Sequence, residues 1–162
     1  MSASRVLILA TAVLPLATLA SPPPLPKEGK YDMTLCWGGT SHAVSATPND
    51  HFGTYALTGP VRSNAETRLF DQASFDCVGT WAVRASAHQH AGYCLVVDRD
   101  GDKAFFRDVR DGDGYTAAFL GGTGKYRGIA GGGTTERIGA YPPARAGSIQ
   151  GCARSSGNYK LP

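Results

Sequence analysis

From Tyr31 onward, hydrophobic and polar positions alternate with a period of two, and no window sustains a helical period. Tyr31–Trp37 alternates cleanly, with Tyr31, Met33, Leu35 and Trp37 on one face and Asp32, Thr34 and Cys36 on the other. His42–Ser45 is either a short strand or part of a loop that ends in Pro48-Asn49-Asp50. Phe52–Leu57 and Val61–Ser63 are extended pieces separated by Thr58-Gly59-Pro60, where proline withholds a ladder donor and predicts an edge or a bulge. Ala73–Ala85 places Phe75, Cys77, Gly79, Trp81 and Val83 on one apolar face. Ala91–Asp98 and Lys103–Val109 flank Arg99-Asp100-Gly101-Asp102, and the Asp-Gly step makes this the best hairpin signal in the chain. Tyr115–Leu120, Gly132–Gly139 and Ser148–Arg154 are further strands, with Asp111-Gly112-Asp113-Gly114 and Tyr141-Pro142-Pro143 as turns. About eight strands at short spacing predict an all-β fold, one antiparallel barrel or sandwich, with neither a repeat nor a second domain.

The glycine-dense stretch Phe119–Gly133 punctuates this pattern, and Tyr126 and Ile129 within it distinguish it from a linker. Glycine supplies positive φ and close backbone approach, so the stretch reads as a sheet corner. A phosphate-binding loop of the Walker type is absent: Phe119 stands at its first glycine and Tyr126 at its hydroxyl position. The glycine spacing also misses the dinucleotide fingerprint.

The first twenty residues change the picture of where the protein works. Arg5, the apolar run Val6–Leu14 and a small-residue end at Ala20 have the three parts of a secretory signal peptide, residues 1–20, which is too short for a confident membrane span. Residues 21–30, with prolines at 22, 23, 24 and 26, read as an extended leader, and 31–162 as the folded domain. This predicts a protein that is secreted or periplasmic and has no membrane partner after cleavage. The formal charge of +3 is small, and its lysines and arginines are scattered rather than interleaved with aromatics, so no nucleic-acid partner is expected. The cysteines Cys36, Cys77, Cys94 and Cys152 are even in number and contain no Cys-x-x-Cys pair, which favours disulfides over zinc. Of the three possible pairings, Cys36–Cys152 with Cys77–Cys94 is preferred, because Cys36 and Cys152 both project from the more polar face of their strands.

Thr116–Gly128 resembles the Gly-Gly-x-Gly-x-aromatic signature of the allene oxide cyclase and dirigent barrel superfamily, at Gly121-Gly122-Thr123-Gly124-Lys125-Tyr126. The resemblance implies an eight-stranded antiparallel barrel around an apolar cavity. Tyr31-Asp32-Met33-Thr34 is similar to the first-strand Tyr-Glu-Ile-Asn of the plant cyclases, with Asp for Glu and Thr for Asn at positions that orient water and substrate there. The Cys94-to-Asp102 segment and Gly151-Cys152 resemble exported bacterial proteins of this kind.

Candidate chemistry is sparse. Asp98, Asp100 and Asp102, with Asp108, Asp111 and Asp113, invite a calcium site, but Val109 stands where the EF-hand loop needs its final glutamate, and solvated turns are preferred; no metal or other cofactor is expected. His88 and His90 would point the same way in a strand, yet Ser86–Gly92 reads as the polar tip of a hairpin with exposed histidines. Glu136 shares parity with Ile138 and would enter a barrel lumen if Ile138 did. Ser41-His42 and Ser86 with His88 lie in no nucleophile elbow. The leading expectation is a non-catalytic binder of a small apolar molecule, held among Tyr31, Met33, Leu35, Trp37, Phe75, Trp81 and Tyr126. The alternatives are an isomerase or lyase of the cyclase type acting through Asp32 or Glu136, and an extracellular interaction or inhibitor protein.

Overall fold

A computed structural model describes residues 24–111 and 114–162. The expected signal peptide, two of the four prolines of the expected leader (22 and 23) and the centre of the Asp111–Gly114 turn lie outside the described residues. Eight antiparallel strands close a barrel in simple sequence order: β1 (Glu28–Thr47), β2 (Asp50–Ser63), β3 (Ala73–Arg84), β4 (Ala87–Val97), β5 (Lys103–Asp111), β6 (Gly114–Gly122), β7 (Ala130–Ala140) and β8 (Ser148–Lys160). β1 closes on β8 from Glu28↔Lys160 to Thr40↔Ser148. No α-helix occurs among the described residues.

The strands are longer than the alternation alone suggested, because a partner on each side satisfies the backbone through residues that look like breakers. β1 starts within the expected leader and runs without interruption through Gly38-Gly39 to Thr47, absorbing the stretch from His42 to Ser45. β2 runs through Pro60 and is no edge. Its register with β3 continues through Pro60↔Ser74, while the ladder to β1 lapses opposite Gly59 and Pro60, as a missing donor requires. Gly59 is needed there because a Cβ would collide with the Cys36 carbonyl oxygen. The β4–β5 hairpin turns at Gly101, whose φ is 83°, as expected of the Asp-Gly step.

One end of the barrel is plugged. The β2–β3 connection folds back with Arg68, Phe70 and Gln72 at positive φ and inserts Leu69 and Phe70, both about fully buried. Phe70 packs on Tyr126 at 4.9 Å and Phe119 at 5.9 Å, and Tyr31 meets Phe119 at 5.5 Å. Met33, Val61, Ile129, Tyr159 and Leu161 complete this core. The glycine stretch is the corner that builds it: β6 ends at Gly122, a single 3₁₀ turn spans Gly124–Tyr126, and β7 begins at Ala130. Gly124 has φ 52° and Gly128 φ 73°, and this path buries Tyr126 to 2 % exposure. Tyr126, expected among the residues that hold a ligand, is therefore a plug residue.

Outside the plug, Lys125 Nζ bonds Asp98 at 2.8 Å and also pairs with Asp100. Asp98 Oδ1 accepts the backbone amides of Asp100 and Asp102 at 2.9 and 3.0 Å, and Asp102 accepts the Lys125 amide at 3.2 Å. These carboxylates clamp the β4–β5 turn to the glycine corner. No cluster of metal-ligating side chains occurs among the described residues.

The disulfides are Cys36–Cys152, directly opposite across β1–β8, and Cys77–Cys94, opposite across β3–β4. The Cys36 pair lies on the outer face and the Cys77 pair lines the lumen. Two disulfides are compatible with an oxidising compartment.

Candidate ligand-binding lumen

The end opposite the plug is open. A rung of paired residues joins Tyr55, Gly79, Gly92, Asp108, Ala117 and Gly133 across six strands, spiralling from the mouth side, where Tyr55 pairs with Ser41, to the plug, where it continues through Gly157 to Tyr31. All six are on the inward parity, and four of them are glycine or alanine, which leaves room beside them for larger side chains. Tyr55 lies across the gap. A Cβ on Gly79 or Gly92 would overlap its hydroxyl, so the two glycines are what allow the ring to lie inside the barrel. The same device recurs higher up: Trp81 covers Gly53, where a Cβ would stand 2.5 Å from the ring, and Trp37 covers Gly151 at 2.7 Å. The Trp81 indole N–H donates to Ser41 Oγ at 3.2 Å, which fixes the ring at the rim.

What remains is an apolar cavity of about 100 Å³ bounded by Leu35, Phe75, Phe106 and Ala153 together with the Cys77–Cys94 disulfide. It shares Trp37, Tyr55, Leu57, His90, Tyr115 and Arg137 with a wider funnel of about 470 Å³ leading to the mouth. Trp81, His88 and Tyr141 line the funnel only.

The polar groups of the lumen converge from neighbouring strands. His90 Nε2 lies 3.1 Å from the Tyr55 hydroxyl and 3.3 Å from Asp108 Oδ2, and the imidazole stacks on the Tyr55 ring at 5.2 Å. Asp108 Oδ1 is buried with no protein partner. Burial, with Asp108 second and Tyr115 third, pushes the Tyr55 hydroxyl far above its ordinary range, so it stays protonated. Nearer the mouth, Arg110 donates to His88 Nδ1 at 2.8 Å and sits 5.2 Å over the Tyr115 ring. Desolvation first, then Arg110, His90 and Arg137, hold His88 below the usual imidazole range. His88 is thus a neutral acceptor at pH 7.

Of the residues expected to bind a ligand, Leu35, Trp37 and Phe75 line the cavity and Trp81 its mouth. Tyr31 and Met33 are buried at 2 % exposure and, like Tyr126, line neither space. His88 and His90 are not loop residues: β4 begins at Ala87 and turns both inward, because the tight turn at Ala85 and Ser86, with φ 46° and 73°, leaves no longer tip. Both expected carboxylates lie outside. Glu136 is exposed opposite Arg154, since Ile138 also faces out, at 52 % exposure. Thr135 and Arg137 line the lumen in its place. Asp32 is paired with Arg154 through both carboxylate oxygens and accepts Asn64 at 3.0 Å. The Arg154 and Asn64 bonds draw the Asp32 carboxyl down to about 2.

Tyr55, Tyr115 and Arg137 were not picked out as site residues from the sequence, and Asp108 was singled out only as a neighbour of the carboxylates that invite calcium, not as a lumen residue. For Asp108 the available signal was its shared parity with Phe106 and Ala104 on β5.

Fold and site together define an eight-stranded antiparallel barrel with a lumen plugged at one end and open at the other. Comparison with known proteins found no matching family model, no matching curated protein and no matching solved structure.

Proposed function

We propose that this is an exported, secreted or periplasmic, barrel that binds a small molecule with an apolar body in its lumen without transforming it. The observation that carries this is the open, largely apolar space bounded by Leu35, Phe75, Phe106 and Ala153, reached between Trp37 and Trp81. Preformed concave apolar sites with a few convergent polar groups are the usual form of a small-molecule pocket. The architecture also accords with the likeness to the allene oxide cyclase and dirigent superfamily. The cyclase-type activity has less support, because Asp32 and Glu136 are outside the lumen. Val78, Tyr93, Phe105 and Leu120 expose apolar surface that could serve a protein partner, but an unfilled lumen favours a ligand.

Toluene and anisole, titrated by calorimetry and by the fluorescence of Trp37 and Trp81, test the proposal. Both bind saturably to the native protein, and Ala153→Phe, which projects a ring into the cavity, abolishes binding while the circular dichroism spectrum is retained. Unchanged binding in folded Ala153→Phe, or no binding to the native protein, overturns it.

A further inference from the structure

Asp108 is a carboxylate on the wall of an otherwise apolar lumen, and the protein leaves its hydrogen-bonding capacity mostly unused. Its side chain is 17 % exposed, Oδ1 is buried without a partner, and Oδ2 has only the long 3.3 Å approach of His90 Nε2. An ionised carboxylate offers about four acceptor positions, and buried polar groups are almost always satisfied. The neighbours on its own rung, Gly92 and Ala117, carry no polar side-chain atom that could help. The Tyr55 hydroxyl is already engaged with the same His90 nitrogen.

We infer that the lumen ligand carries a neutral hydroxyl group that donates to Asp108 while its apolar body occupies the space between Leu35, Phe75 and Phe106. This rests on the lumen being a ligand site and names the class of ligand it takes. A neutral donor fits better than an ammonium group, because Arg137, with no ion-pair partner among the described residues, lines both the funnel and the cavity. A cation would meet this charge on the way to the carboxylate, whereas a hydroxyl passes it without repulsion. A hydrogen bond to a charged acceptor is also stronger than a neutral one, so one hydroxyl can dominate selectivity in so apolar a space.

Phenol and anisole form the decisive pair. They share ring and oxygen, and the methyl ether adds apolar surface, so anisole binds the tighter wherever no acceptor is offered. The native protein is expected to bind phenol at least ten times more tightly than anisole, and benzylamine more weakly than either. Asp108→Asn is expected to reduce the phenol-to-anisole preference several-fold, because the charged acceptor is lost. The native phenol-to-anisole ratio is decisive even if the variant does not fold. Equal binding of phenol and anisole overturns the hydroxyl assignment and leaves the lumen as a ligand site; benzylamine binding tighter than phenol overturns it in favour of a cation. If none of the three binds, both the lumen site and its ligand class are refuted.

Discussion

Tyr55 occupies the space that a side chain on Gly92 would need: a Cβ at Gly92 overlaps the tyrosine hydroxyl that meets His90 Nε2 at 3.1 Å. The ring spans two strands because Gly79 and Gly92 sit side by side in register with it, Tyr55↔Gly79 and Gly79↔Gly92. Two glycines in mid-strand weaken a sheet locally, and the aromatic ring laid over them restores buried apolar area.

Gly92→Ala therefore forces Tyr55 out of its position. Overpacking of this kind costs about 1–3 kcal/mol. Thermal unfolding should show a melting temperature several degrees lower, and lumen binding of anisole should weaken as the ring moves into the cavity or away from His90. A variant with unchanged melting temperature and binding would show that the Tyr55 ring has room elsewhere.

The two disulfides should contribute unequally. Cys36–Cys152 closes a sequence separation of 116 residues and Cys77–Cys94 one of 17. In the chain-entropy account these correspond to about 4–5 and about 3 kcal/mol. Urea unfolding of Cys36→Ser/Cys152→Ser should give the larger loss of stability, and Cys77→Ser/Cys94→Ser the smaller. Only the second pair lines the lumen, so only the second should also alter ligand affinity.

Asp32 should affect acid stability and not binding. Its folded carboxyl titrates at about 2, against 3.8 for the ordinary group, through the bonds from Arg154 and Asn64. A depressed carboxyl stabilises the fold fully above the ordinary value, and that contribution is lost as pH falls from 3.8 through about 2. Urea unfolding between pH 2 and pH 5 should show a shallower acid decline in Asp32→Asn than in the native protein. Above pH 5 the pair, exposed on its arginine side, is screened, and the variant's melting temperature should fall by less than about 4 °C. Neither Asp32→Asn nor Glu136→Gln should change anisole binding, because both side chains lie on the outer face; a tenfold loss in either would place that carboxylate in the site.

Period-two alternation determined the all-β class, and Tyr31, Met33, Leu35 and Phe75 were legible as inward residues because strand parity depends on nothing beyond neighbouring positions. The disulfide pairing was legible for the same reason: Cys36 and Cys152 shared the polar parity of their strands and stand opposite each other. Glu136 was misplaced because its inward placement hung on Ile138: the two keep their shared parity, but Ile138 is 52 % exposed, so both face out.

The glycine corner could be read as a turn, but that Tyr126 ends in the plug at one end follows from where the β2–β3 connection places Phe70. Whether the lumen is filled was decided entirely by tertiary structure. The rung from Tyr55 to Gly133 draws on six strands far apart in sequence, and only their register sets Gly79 and Gly92 beside the Tyr55 ring and Asp108 beside Gly92. Alternation tells which residues face inward; the stagger of the closed barrel decides which of them meet, and therefore that Asp108, Tyr55 and His90 share one cavity.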